Sequence, residues 1–178
     1  MRLLVIYLIL VFRSAAAQVD LKPLLTEVLY SNQRDTVCLQ YLTVKEFKNR
    51  LALLETSNLK KPYQAVNRYG YTGKYQLSKK YIAQYSKTTY ERFLKSAWIQ
   101  ERTMNRLIAH YINSIYQRGW GKYIGKEING VTVTLEGLLA GYHQHPVALK
   151  KWLESNGKTN LQDGNGCPVS VFIRKFEL

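Results

Sequence analysis

The spacing of apolar residues along this chain is mostly helical. Between Val44 and Glu55 apolar positions recur every three or four residues with lysine and arginine between them, which predicts an amphipathic helix. Its apolar stripe consists of Val44, Phe47, Leu51 and Leu54. Thr43 precedes the stripe and Glu46 follows three residues later, which is a capping-box pattern. Glu55 therefore falls at the C-terminal end of the helix, where the helix dipole disfavours a carboxylate and raises its pKa.

Further helices are predicted after a glycine-rich turn. A short helix starts at about Ser78, and residues 88–119 carry one long or broken helix. Gly119 and Gly121 end it. Its inward-facing residues are predicted to be Phe93, Leu94, Trp98, Met104, Leu107, Ile108, Tyr111 and Ile115.

The second half of the chain interrupts this pattern once. Asn129–Gly130, between Ile128 and the β-rich VTVT, predicts a short β-hairpin near 123–134. Thr134 then caps a helix over LEGLLAGYHQ, and Pro146 opens another that ends at Gly157. Residues 158–166 are predicted as loop, and VSVFIRKF as a last short helix or strand. The predicted fold is mostly α: a single helical domain with one small hairpin, and so α+β.

The first seventeen residues have the pattern of a secretory signal. Arg2 is followed by an apolar run over 3–12 and by small residues at 15–17. That run is about ten residues long, against the roughly twenty that span a bilayer. Arg13 interrupts the pattern, so an uncleaved anchor stays an alternative. We predict a signal at 1–17, one domain over 18–178, a secreted or periplasmic location and no stable membrane insertion once the signal is removed.

Charge narrows the possible partners only partly. The formal net charge is +14, two of which belong to the signal. An exported basic protein is attracted to polyanions such as nucleic acid, anionic lipid or bacterial cell-wall polymers, although charge also simply keeps a protein soluble. Because the chain has no basic motif interleaved with aromatic residues, we expect no nucleic-acid partner. Binding driven by charge alone stays an alternative.

The two cysteines are far apart in sequence. In an oxidising compartment Cys38 and Cys167 could form a disulfide, and two buried free thiols are the alternative. The chain has no CxxC, no HExxH and no clustered histidines and cysteines. We therefore expect neither a metal site nor a cofactor.

The stretch from Glu55 to Leu77 is the best candidate for chemistry. It places one carboxylate ahead of a turn rich in glycine and tyrosine. Cleavage of a glycosidic bond requires a general acid with a raised pKa, together with aromatic faces and hydrogen-bond donors for sugar. A glutamate at a helix end can equally be a solvated surface group, and the tyrosines of such a turn can equally pack against the core.

The same stretch resembles the active-site signature of the lytic transglycosylases and goose-type lysozymes. In ETSN…YQAVNRYGYTGKYQ, Glu55 matches the catalytic glutamate, and Ser57 matches the serine that follows it, with Thr56 inserted between them. The turn of the signature is matched by Gly70, Gly73, Tyr75 and Gln76. In LEGLLAGYHQHPVALKKWLESNG, Tyr142 and His143 match a pair that faces the sugar groove. The ending DGNGCPVSVFIRKF also resembles small phage-type members.

This resemblance implies a lysozyme-like fold and a peptidoglycan-cleaving enzyme. Glu55 would be its catalytic residue, and Gly70 and Gly73 would shape the turn. The substrate-binding residues would be Ser57, Tyr71, Tyr75, Gln76, Tyr142 and His143. His143 is also open to a role as a second proton carrier or as a structural histidine. Gln144–His145–Pro146 departs from the glycine-rich step usual in the family.

A lone acid favours one mechanism over another. After Glu55 the next acidic residue is Glu91, and the next aspartate is Asp163. Hydrolysis usually needs two carboxylates, whereas the resemblance implies a route in which the muramyl 6-hydroxyl replaces water. We expect a monomeric lytic transglycosylase that cuts the MurNAc–GlcNAc β-1,4 bond of peptidoglycan glycan strands. The alternatives are a muramidase, with Glu91, Glu101 or Glu136 in the cleft, and a non-catalytic wall-binding protein.

Overall fold

The fold is mostly helical with one small antiparallel sheet, as the sequence predicts. A computed structural model describes residues 43–57 and 59–177, so the predicted signal at 1–17 and Cys38 lie outside the described residues. The helices are α1 (Val44–Thr56), α2 (Lys79–Tyr85), α3 (Tyr90–Lys95), α4 (Ala97–Gln117), α5 (Leu135–Gln144), α6 (Pro146–Glu154) and α7 (Val169–Arg174). Two 3₁₀ helices, Pro62–Gln64 and Trp120–Tyr123, lie in the connections.

Helix α1 begins and ends with local signals. The Thr43 hydroxyl accepts from the backbone N–H of Glu46, and the Glu46 side chain accepts from the backbone N–H of Thr43, which confirms the capping box. The helix ends where Ser57 adopts a left-handed conformation with φ 45°. Phe47 and Leu51 are buried, so the predicted apolar stripe of α1 faces the core. Glu55 lies in the last turn of this helix.

The predicted long helix is broken at Ser96. This residue is extended, with φ −126°, and its hydroxyl caps the start of α4. The prediction that Trp98 faces inward is wrong, because its side chain is 66 % exposed. At 3.6 residues per turn, Trp98 points about 120° away from the buried Met104. The guanidinium of Arg102 lies over its ring at 5.1 Å.

The predicted hairpin is confirmed. Strand β1 (Glu127–Ile128) pairs with β2 (Val131–Thr132) in the register Glu127↔Thr132 and Ile128↔Val131. The connecting Asn129 and Gly130 have φ of 50° and 71°, as a type I′ turn requires.

Helix α5 is the centre of the core and packs against α4, α6 and α7. Two glycines bring α7 close to it: a Cβ at Gly137 would lie 2.8 Å from the side chain of Ile173, and Gly141 faces the same residue. Helix α6 ends at Glu154 rather than at the predicted Gly157, and the last segment is a helix. None of the helices in the described ranges is both long and apolar enough to cross a bilayer.

Candidate active site

The last turn of α1 meets the last turn of α5. Glu55 comes from α1, and His143 and Gln144 come from α5. The Glu55 side chain is only 11 % exposed and that of His143 only 5 %. Gln144 donates from Nε2 to Glu55 Oε1, and His143 Nε2 lies 3.6 Å from the same oxygen. The structure therefore encloses Glu55 between an amide and an imidazole.

Burial raises the pKa of Glu55 to about 8, from its ordinary value of 4.5. The hydrogen bond from Gln144 lowers this pKa, and the negative charge of Asp163 raises it. The direction is the one expected at the end of a helix, but removal from water is the main cause. Glu55 is thus mostly a neutral carboxylic acid at pH 7.

His143 is a neutral imidazole in a defined tautomer. Burial lowers its pKa to about 4, although the hydrogen bond to the Tyr75 backbone raises it. Nε2 lies 3.0 Å from the carbonyl oxygen of Tyr75, which can only accept, so Nε2 carries the proton. Nδ1 therefore accepts from the Tyr111 hydroxyl at 3.2 Å. These two bonds fix the ring beside Glu55.

The hydrogen bond from Gln144 decides which oxygen of Glu55 holds its proton. Oε1 accepts from the Gln144 amide, so Oε1 is the carbonyl oxygen and the acid proton is on Oε2. Within the described residues Oε2 has no hydrogen-bond partner, yet it is not a fully buried atom. The acid proton therefore lies on an oxygen that keeps some exposure to solvent.

Tyrosine rings line the wall beside Glu55. The rings of Tyr111 and Tyr142 have centroids 5.0 Å apart, and both are almost fully buried. Tyr81 is half-buried and lies near Tyr142 and Tyr71. Burial raises the pKa of Tyr81, and the proximity of these two tyrosines raises it further. Together these four phenols run from the core to the surface, where Tyr71 is 44 % exposed. Of the four, Tyr81 and Tyr71 reach solvent, so these are the two rings that a sugar would contact.

The glycine-rich turn is held against α4. Gly70 and Gly73 have φ of 80° and 79°, which side chains other than glycine rarely adopt. A Cβ at Gly73 would lie 2.2 Å from Oε1 of Gln100, so this position also has no room for a side chain. The buried Gln100 accepts from the backbone N–H of Lys74 and donates to the carbonyl of Tyr63. The turn is therefore fixed, and it presents Tyr69 and Tyr71 to solvent.

Two of the predicted substrate-binding residues do not offer a side chain to this site, and the role of a third, Ser57, stays a prediction. The Tyr75 ring is 1 % exposed and its hydroxyl donates to Glu101, so only its carbonyl takes part. Gln76 folds back, and its Nε2 donates to the carbonyl of Gly73 at 2.8 Å. Ser57 is exposed, and its backbone N–H caps α1 by donating to Leu53. Glu55, Tyr142 and His143 come together, with Tyr71 at the edge of the tyrosine wall.

The three glutamates that the sequence offered as a second carboxylate, Glu91, Glu101 and Glu136, lie in environments different from that of Glu55. Glu91 is exposed. Glu136 is buried near the start of α5, two turns from His143. Glu101 binds Lys48, Lys74, Tyr63 and Tyr75 instead. Asp163 is the acid whose charge raises the pKa of Glu55.

Asp163 belongs to the loop DGNGC. Its Oδ1 accepts from the backbone N–H groups of Asn165 and Cys167, which fixes the carboxylate. The hydroxyl of Tyr69 lies 3.5 Å from the carbonyl of Gly164, so this loop adjoins the glycine-rich turn. Sequence reasoning missed Asp163, Tyr111 and Gln144 as site residues. The position of Gln144 next to His143 was the one local signal available.

Of the two cysteines, Cys167 lies within the described ranges. Cys167 is a free, partly buried thiol, and burial raises its pKa. Its pairing with Cys38 stays a prediction. Residues 43–57 and 59–177 contain no group of three or more histidine, cysteine, aspartate or glutamate side chains placed to hold a metal ion.

Comparisons of this chain with protein-family models, curated proteins and solved structures found no match. The resemblance to the lytic transglycosylases and goose-type lysozymes therefore stays a prediction, and the candidate site is argued from its own geometry.

Proposed function

We propose that this protein is an exported peptidoglycan-cleaving glycosidase in which Glu55 is the general acid. The observation that carries the proposal is a buried carboxyl group whose pKa is raised to about 8 and whose proton lies on the oxygen left free by Gln144. A general acid must be protonated at working pH and must reach the leaving oxygen. Glu55 meets the first condition and has a free oxygen for the second.

The proposed reaction begins with the glycan strand against the tyrosine wall. Glu55 donates its Oε2 proton to the glycosidic oxygen while the bond to the muramyl anomeric carbon breaks. The carboxylate that forms is stabilised by the amide of Gln144, which donates to Oε1. Because this charge exists only after proton transfer, the amide favours the reacting state over the ground state.

In the transglycosylase route, the ionised Glu55 then acts as the base. It removes the proton of the muramyl 6-hydroxyl, whose oxygen attacks the anomeric carbon and closes a 1,6-anhydro ring. One carboxyl group thus gives a proton and takes one back, and no water is consumed. Glu55 alone can carry out both steps.

The proximity of Asp163 favours hydrolysis as a second candidate. A carboxylate near the acid can orient a water molecule toward the anomeric carbon. Under this route Asp163→Asn would abolish turnover, and the products would carry reducing ends. Under transglycosylation the products carry 1,6-anhydro ends. Mass spectrometry of the released muropeptides separates the two.

Clearing of purified cell walls tests the proposal itself. Glu55→Gln keeps the shape of the side chain and its bond to Gln144 but has no acid proton, so we expect a loss of about 10²–10⁴-fold. Glu154→Gln, at a half-exposed glutamate of α6, is the control and should remain active. Full activity of Glu55→Gln would refute the proposal. Wall binding without turnover by the wild type would indicate the non-catalytic alternative.

A further inference from the structure

A concave site lies along α1, lined by residues other than those of the tyrosine wall. Its volume is about 420 Å³. We call it the lysine cavity, and the lining residues that matter are Lys45, Lys48, Tyr63, Lys74, Glu101 and Asn105. Lys48 and Glu55 are seven residues apart and share one face of α1, so the cavity begins about 10 Å along the helix from the acid.

Glu101 organises the lysine cavity. Its Oε2 binds Lys48 Nζ at 2.6 Å, and its Oε1 binds Lys74 Nζ at 2.9 Å. Oε1 also accepts from the hydroxyls of Tyr63 and Tyr75. Both oxygens are occupied, and the two ammonium groups are held in place on either side of one carboxylate.

The cations outnumber the anions in this cavity. Three lysines face one glutamate, which leaves an excess of two positive charges in a partly enclosed site. The ammonium group of a lysine has three donors. Lys48 uses two of them, on Glu101 and Asn105, and Lys74 uses two, on Glu101 and Tyr63. Each therefore has one N–H left for an acceptor.

We propose that the lysine cavity binds a carboxylate group of a peptide, held by the remaining N–H groups of Lys48 and Lys74, with Lys45 at the rim. A planar acceptor of single negative charge matches two donors whose positions Glu101 has already fixed, and this order lowers the entropy lost on binding. The inference rests on the proposed function, in which the ligand is the peptide attached to the glycan strand. The cavity would then bind the peptide while Glu55 cleaves the glycan strand to which the peptide is attached.

Titration of the full chain with a muramyl peptide tests the site directly. The peptide with free carboxylates should cause saturable NMR shifts at Lys48 and Lys74, and its amidated form should bind at least about tenfold more weakly. Lys45→Glu changes an exposed side chain outside the Glu101 network, so the fold is kept while binding should weaken about fivefold or more. Lys158→Glu makes the same change in net charge at an exposed position after α6 and should bind like the wild type.

Any of three binding results would overturn the inference: equal binding of the amidated peptide, equal effects of the two lysine variants, or inorganic phosphate binding as tightly as the peptide. Turnover of whole walls and of walls stripped of peptide by an amidase separates this inference from the proposed function. We expect the KM of the wild type to rise about fivefold on stripped glycan. Equal turnover of both walls, with Glu55 still essential, would refute the peptide site alone. Carboxylate binding without turnover would refute the enzyme alone.

Discussion

Glu55 and Glu101 lie on two contacting helices, and their surroundings have opposite effects on the same chemical group. Burial raises the pKa of Glu55 to about 8, because its neighbours are a neutral imidazole and an amide. Burial also acts to raise the pKa of Glu101, but hydrogen bonds from Lys48, Lys74, Tyr75 and Tyr63 lower it to about 2. At pH 7 one is an acid and the other a fixed anion. At Glu101 the hydrogen bonds outweigh the effect of burial, and at the more deeply buried Glu55 burial prevails.

Tyr75 connects these two environments. Its hydroxyl donates to Glu101 at 2.7 Å, and its carbonyl accepts from His143 at 3.0 Å. The residue therefore helps to hold one glutamate ionised and orients the imidazole beside the other. The glycine-rich turn that carries Tyr75 fixes both sites at once.

The largest effect that we expect in this comparison is a change of stability with pH at Glu55. The unfolded chain loses this proton near pH 4.5 and the folded chain near pH 8. The free energy of unfolding therefore falls as pH rises between these values and levels off above them. Glu55→Gln removes the effect, so its stability relative to the wild type should increase by on the order of 4 kcal/mol across this window.

Urea unfolding of both proteins at pH 5, 7 and 9 measures the increase. The pKa of His143 is lowered to about 4, so its titration also decreases the free energy of unfolding as pH falls from 6.5 toward 4. It is present in both proteins, so the difference between them is the quantity to compare. Glu154→Gln should differ from the wild type by a constant amount. A constant difference for Glu55→Gln as well would mean that Glu55 is an ordinary ionised glutamate.

The same substitution at Glu101 should have the opposite effect. Glu101→Gln leaves Lys48 and Lys74 without their anion and should cost about 2 kcal/mol at pH 7, less than a fully buried pair because the side chain is 28 % exposed. The folded pKa is lowered to about 2, so this stabilisation is complete above pH 4.5 and is lost as pH falls toward 2. Thermal unfolding at pH 7 and pH 3 measures it.

Glu91→Gln is the matched control for this prediction. Glu91 is exposed on α3, and its replacement should change the free energy of unfolding by less than about 0.5 kcal/mol. If Glu101→Gln is as stable as this control at pH 7, the lysines do not depend on Glu101 and the contrast between the two glutamates fails.

The elements that the sequence predicts well are those with local signals. Thr43 and Glu46 mark the start of α1, and Asn129–Gly130 marks the hairpin, because their chemistry acts within a few residues. The prediction that Trp98 faces inward was wrong because Ser96 is extended and caps a new helix, α4. One extended residue changes which side of the following helix faces the core.

The candidate site was predictable only in part, for a related reason. Glu55 and His143 stand out in sequence, but no spacing encodes the hydrogen bond of Gln144 to Glu55 or the proximity of Tyr111 and Asp163, whose electrostatic effects connect them with Glu55. Tyr75 was predicted to bind substrate because it matches the turn of the active-site signature that the sequence resembles. In the structure the turn directs its ring inward to Glu101, since Gln100 fixes the backbone at Lys74.

The smallest effect concerns Tyr75 and tests whether the two sites are separable. Tyr75→Phe removes one hydrogen bond to Glu101 but keeps the carbonyl that orients His143, so it should cost about 1 kcal/mol and leave the pKa of Glu55 unchanged. Unfolding in urea gives the first quantity, and carbon-detected NMR of the Glu55 carboxyl gives the second. Tyr116→Phe is the control, because the Tyr116 hydroxyl has no hydrogen bond to another described residue. If the pKa of Glu55 moves with Tyr75→Phe, the ring and the carbonyl do not act independently, and Glu101 influences the acid through this residue.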